Sequence, residues 1–140
     1  MADRLDGLGN YEQLARLALR AYAALVLMQH GFQKAFGMFG GEAVTDYASL
    51  EGLALVLETV GAGLLLLGLF TRPVAFLLSG EMAVAYFMFH AKRGPIPVVN
   101  RGEVSSLLCF IFVYFFVAGP GRYSLDALRG RAARTRPVTT

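Results

Sequence analysis

Apolar residues gather into four long segments, at about 14–35, 53–70, 73–90 and 103–118, and turn-forming residues separate them. Each segment is close to the roughly 20 residues that cross a bilayer as a helix. Arg16 and Arg20 interrupt the first, Glu58 lies in the second, Glu81 in the third, and the fourth is rich in Phe. Gly40-Gly41 closes the first hairpin. Thr71-Arg72-Pro73 reads as a tight turn, with Pro73 suited to the first position of the third helix. Gly94-Pro95-Ile96-Pro97 reads as a stiff extended loop, and Gly119-Pro120-Gly121 stops the fourth helix. The pattern predicts an all-α fold, an integral membrane four-helix bundle. It fills a single transmembrane domain at 1–130 and leaves a basic flexible C-terminal tail at 131–140. The leading Ala2-Asp3-Arg4-Leu5-Asp6 is acidic and has no apolar run, so it does not read as a cleaved signal peptide.

Composition places this pattern in lipid. The chain has 140 residues, 56% hydrophobic and 16% charged, with a mean hydropathy of +0.52. A soluble domain carries roughly 25% charged residues. So much apolar surface excludes disorder. Cys109 is the single cysteine, which excludes a disulfide scaffold and dithiol chemistry within the chain. The net charge of +3 does not point to nucleic acid, because the basic residues collect near the C-terminus. Membrane topology accounts for them better. With both termini cytoplasmic, Arg4, Arg16, Arg20, Arg72, Arg122, Arg129, Arg131, Arg134 and Arg136 lie inside, and Lys34, Lys92, Arg93 and Arg101 lie outside, nine against four. The expected location is a membrane that the chain crosses several times, with the lipid bilayer as partner.

Ionisable side chains within such helices are costly and tend to mark function. At 100° per residue, Glu12, Arg16, Arg20, His30 and Lys34 fall within about 80° of one another on the first helix. Depth divides the polar residues into two groups. His30, Lys34, Glu58, His90 and Glu103 belong to the outer half, with Asn100 and Arg101 on the adjacent loop. Arg20 and Glu81 fall at similar depth in the inner half and read as a structural ion pair. Lys34 with Glu58 or Glu103 reads either as another such pair or as the wall of a polar cavity. On the third helix Ala75, Ser79 and Ala83 form a small-residue packing face that includes His90, while Glu81 points the opposite way.

On the fourth helix Glu103, Ser106, Leu107, Phe110 and Tyr114 share a face. A carboxylate above aromatic rings suits a flat ligand such as a quinone head group; the plainer reading is lipid contact or core packing. His30 and His90 sit at similar depth, as two axial haem ligands would, but no other feature supports haem. No zinc spacing, phosphate loop, dinucleotide fingerprint or Ser-His-Asp arrangement occurs. Cys109 reads as a small buried apolar residue.

These residues form an ordered set: His30-Gly31-x-x-Lys34, then Glu58 leading into the run Gly61 to Phe70 and Thr71-Arg72, then Asn100-Arg101-Gly102-Glu103, and finally Gly119-Pro120-Gly121-Arg122-Tyr123-Ser124-Leu125-Asp126. In order and spacing the chain resembles the DoxX/DoxD family of small bacterial membrane proteins, from about Arg16 to Asp126. The resemblance implies a four-helix, multi-pass bundle in the bacterial inner (plasma) membrane and carries over His30, Gly31, Lys34, Glu58, Gly102 and Glu103. The namesake members look like subunits of a thiosulfate:quinone oxidoreductase, and other relatives are tied to sulfur-redox or oxidative-stress complexes. The basic stretch Lys92-Arg93-Gly94-Pro95-Ile96-Pro97 departs from the family's aromatic, proline-containing pattern at that point.

Together these readings lead to an accessory or quinone-linked redox subunit of a larger membrane oxidoreductase or respiratory-type complex. Other subunits are then its partners, and they supply the electrons. The alternative is a stand-alone protein that binds or transports a quinone or solute at a polar site in the outer half. The absence of internal repeats disfavours a carrier. No cofactor is expected within the chain itself. The ligand-binding candidates are His30, Lys34, Glu58, His90, Glu103 and Tyr114.

Overall fold

The computed structural model describes residues 8–134. Among them are six helices and no strand: α1 Leu8–Phe36, α2 Leu50–Leu67, α3 Thr71–Arg93, the short α4 Pro97–Asn100, α5 Glu103–Ala118 and α6 Leu125–Arg134. A 3₁₀ turn, Met38–Gly40, follows α1. The all-α expectation holds. α2 and α3 are each long and apolar enough to cross a bilayer, and α5 is a shorter apolar helix.

Local chemistry moves the expected boundaries. α2 begins three residues early because Ser49 caps it, its Oγ accepting from Gly52 N at 3.2 Å. It ends at Gly68, whose φ of 67° only glycine adopts cheaply. α3 starts at Thr71, so Pro73 is its third residue rather than its first. The Asp126 carboxylate caps this helix from across the chain, accepting from Phe70 N at 2.9 Å and Thr71 N at 2.8 Å. The loop expected at 94–97 contains the start of α4, with Pro97 at its first turn. The stretch expected to be a flexible tail from 131 is helical to Arg134 in α6. Ser124 starts this helix by accepting from Ala127 N at 3.2 Å. The remainder of that tail, 135–140, lies outside the described residues.

α1, α2, α3 and α5 share one core of Ala23, Ala24, Leu27, Ala62, Leu65, Val74, Ala75, Leu78, Met82, Leu108, Phe112 and Phe115. α1 packs on α2, and α3 packs along α5. α2 and α3 touch from Leu57 down to the 68–71 turn, whereas the first stretch of α2, Leu50–Val56, diverges from α3. The outer faces are apolar: Phe87, Phe110 and Val117 are each more than 60% exposed. Surface of that kind is matched by lipid.

One end of the molecule is fastened by arginines. Arg20 is 1% exposed, and its guanidinium donates to Pro120 O and, at 2.7 Å, to Tyr123 O. Arg16 donates to Ala118 O at 3.3 Å and pairs with Glu12, and Arg72 donates to Phe116 O at 3.2 Å. These carbonyls belong to the end of α5 and the turn beyond it, where a helix leaves acceptors unpaired and its dipole favours cations.

Candidate functional site

At the opposite end α1 and α2 come together closely enough to make contact through a glycine. A Cβ on Gly31 would lie 2.5 Å from Thr59 Oγ1 and 2.9 Å from the Glu58 carbonyl carbon. Here α2 widens into a π-turn, Leu57–Gly61. Such turns interrupt the regular ladder and often occur at functional positions. One α1 turn beyond Gly31, Lys34 Nζ donates to both carboxylate oxygens of Glu58, at 2.5 and 2.6 Å. Glu58 is buried, and the Lys34 side chain is 28% exposed. The carboxylate is thus held inside the protein with its charge matched.

This ion pair forms part of the wall of a cavity of about 680 Å³. The cavity occupies the gap where α2 and α3 diverge, and α1 and α5 close it behind. Its apolar lining includes Leu53, Leu57, Met82, Met88, Phe89 and Leu108. Its polar lining is His30, Lys34, Glu51, Glu58, Glu81, His90, Arg101 and Ser105. Leu53, Val84 and Phe89 line it while being more than half exposed, so it opens sideways between the two helices that are long and apolar enough to cross a bilayer.

Glu81 is the unsatisfied group of this cavity. Both of its carboxylate oxygens are buried, and neither has a hydrogen-bond partner among the described residues. The expected Arg20–Glu81 ion pair does not form. α1 begins by Leu8, well before the expected start, and this sets Arg20 level with Gly68 and the 119–123 turn. Glu81 lies ten residues into α3, about 15 Å along the helix from there. Its charged neighbours are instead Glu58 and Lys34.

His90 and Glu81 were expected on opposite faces, yet both line the cavity. A second π-turn, Tyr86–His90, rotates the end of α3 relative to ideal geometry. His90 Nδ1 lies 3.2 Å from Asn100 O; a carbonyl only accepts, so Nδ1 carries the proton. Asn100 itself is fully buried. Its Nδ2 donates to Gly94 O at 2.7 Å and Tyr86 Oη at 3.1 Å, and its Oδ1 accepts from Gly102 N at 2.8 Å. This side chain therefore ties down the whole loop over the cavity mouth, including Arg101, which adopts φ 61°.

Two candidates lie elsewhere. Glu103 opens α5 on its exposed side and is not part of the cavity lining. Tyr114 is 40% exposed and sits at the far end, its ring 5.9 Å from the Arg16 guanidinium carbon. α5 turns Ser105, Leu108, Phe112 and Phe115 inward. The face shared by Glu103, Leu107, Phe110 and Tyr114 is therefore the outward one. No group of three or more His, Cys, Asp or Glu suited to a metal ion occurs among the described residues. Three residues outside the ligand-binding candidates complete the site: Glu81, read from the sequence as half of an ion pair; the buried loop anchor Asn100, read as lying on the loop beside the outer cluster; and Ser105, which the sequence reading did not single out. The lone charge of Glu81 in an apolar helix and the place of Asn100 before Gly102-Glu103 were the available signals; a serine in an apolar helix gives none.

Comparison with known proteins gives two matches. The DoxX family model matches residues 15–91, which carry most of α1, all of α2, nearly all of α3 and the Lys34–Glu58 pair. A protein of Haemophilus influenzae described as uncharacterized is 41% identical over 130 residues, covering 87% of this chain and 96% of its own. No solved structure matches the chain.

Proposed function

Because the chain belongs to the DoxX family, we propose that it is a multi-pass protein of the bacterial inner membrane that serves as a quinone-linked or accessory subunit of a larger redox complex. In this reading α1, α2, α3 and α5 cross the bilayer as a four-helix bundle with both termini cytoplasmic. The arginines gathered at the end bearing the 68–71 and 119–124 turns support that orientation.

The observation that carries the ligand reading is the cavity between α2 and α3, which opens toward the surrounding lipid and has the Lys34–Glu58 pair in its wall. A lipid-soluble molecule would enter from the side and keep its tail among Leu53, Met88 and Phe89. A quinone head fits the groups present. Lys34 has a third N–H beyond the two given to Glu58, which a carbonyl oxygen can accept. The orphaned oxygens of Glu81 stand ready to hold a proton beside the head. When bound, a quinone would supply the two-electron, two-proton acceptor, with electrons delivered by a partner subunit.

Organic extraction of the protein purified in mild detergent tests this reading. Co-extraction of a quinone, or saturable binding of a short-chain analogue weakened by Glu58→Leu, is the expected result. Absence of both would overturn it. Migration with additional chains on a native gel supports a subunit; migration alone favours the second reading, a stand-alone small-molecule binder.

A further inference from the structure

The hydrogen-bonding capacity left over in the cavity has a definite sign. Lys34 spends two of its N–H groups on Glu58, and both Glu58 oxygens are thereby occupied. His90 Nδ1–H is directed at Asn100 O, so a neutral ring keeps Nε2 as an acceptor. Ser105 Oγ donates to Gly102 O at 3.2 Å, which leaves its lone pairs. Glu81 contributes two buried oxygens with no partner among the described residues. In either protonation state at least one of these is an acceptor with nothing to accept from. The evident donors are His30 and Arg101, exposed residues toward the mouth, and the one N–H of Lys34 not given to Glu58. The interior therefore holds more free acceptors than free donors.

From this we infer that the cavity selects a lipid-soluble molecule whose head bears a hydrogen-bond donor, a phenolic or similar hydroxyl, and that Glu81 is the acceptor that holds it. A buried carboxyl without a partner is costly, and a hydroxyl head relieves it in either protonation state, donating to the carboxylate or to the carbonyl oxygen of the neutral acid while accepting its O–H; a head bearing only acceptors leaves that acceptor oxygen unpaired. The apolar lining from α2 and α3 takes the tail. This rests on the reading of the cavity as a ligand site but not on the ligand being a quinone. Within the quinone-linked reading, it assigns tighter binding to the reduced, hydroxyl-bearing form.

A matched pair of probes isolates the donor. 4-Decylphenol and its O-methyl ether share tail, ring and oxygen, and the ether carries a methyl group in place of the hydroxyl hydrogen; the Glu81 variants separate the lost donor from the added bulk. Binding of each is measured calorimetrically to the full-length protein in zwitterionic lipid nanodiscs, against empty nanodiscs. The wild type binds the phenol about tenfold tighter than the ether, the effect of one satisfied buried acceptor. Glu81→Leu removes the difference by weakening the phenol alone, and Glu81→Gln, which keeps an acceptor oxygen, retains most of it. Equal affinities in the wild type, no binding of either probe, or a preference that survives Glu81→Leu would overturn the inference. The wild-type comparison can overturn the inference even if Glu81→Leu folds poorly. Failure of quinones to bind while the phenol preference stands would remove the quinone reading and leave this one intact.

Discussion

Lys34 Nζ sits 2.5 and 2.6 Å from the two carboxylate oxygens of Glu58, joining α1 to the π-turn of α2 across a contact that Gly31 keeps short. The pair is asymmetric. Glu58 is buried, while Lys34 keeps partial access to the cavity. Removing one partner strands a charge in a low-dielectric interior, and removing both does not. Glu58→Leu or Lys34→Met alone is expected to cost about 3–5 kcal/mol, and the double substitution distinctly less than either single one. Thermal unfolding of the four proteins in one detergent checks this. Costs that simply add would show that the two groups are independent.

Gly31→Ala places a methyl group where Thr59 Oγ1 and the Glu58 backbone already stand. The helices must part, at an expected cost of about 1–3 kcal/mol. Gly63→Ala is the control, since its Cβ meets nothing nearer than Met28 Cε at 3.8 Å. Melting temperatures of the two variants should differ clearly, with Gly63→Ala near the wild type.

Asn100 fixes the loop over the cavity with three hydrogen bonds from one side chain. Asn100→Asp keeps the Oδ1 acceptor and loses both donors. Faster amide hydrogen exchange across residues 94–102 is expected in Asn100→Asp, with the exchange of α5 unchanged. The loss is about 1–3 kcal/mol for the acceptors left unpaired.

The fastening at the other end makes a separate prediction. Asp126 caps α3 through Phe70 N and Thr71 N. Asp126→Ala should lower stability by about 0.5–2 kcal/mol, the usual range for a lost cap, and Asp126→Asn by less. A denaturation series in mixed detergent micelles reads both.

Much of this arrangement was legible in the chain. The four apolar segments became α1, α2, α3 and α5, because segment length and turn residues are local properties. The placing of Lys34 and Glu58 in one polar cluster also held, since both sit where their helices approach each other. Arg20 was misassigned because its partners are backbone carbonyls of the 120–123 turn, and acceptors of that kind leave no trace in residue identity. His90 was set on the wrong face because a π-turn breaks the 100° rule. Glu103 and Tyr114 share a face as expected. Which face meets the core is decided by Phe112 and Phe115, and apolar residues on every side of α5 hide that choice from a periodicity argument.

Photolabelling tests most directly whether a lipid-soluble molecule binds between α2 and α3. A short-chain quinone carrying a diazirine on its tail is bound to the full-length protein in nanodiscs, irradiated, and mapped by mass spectrometry. Adducts within Leu50–Leu57 and Glu81–Phe89 that an unlabelled analogue displaces are the predicted result. Labelling confined to the outward face of α5, at Leu107, Phe110 and Val117, or labelling that no competitor displaces, would contradict it.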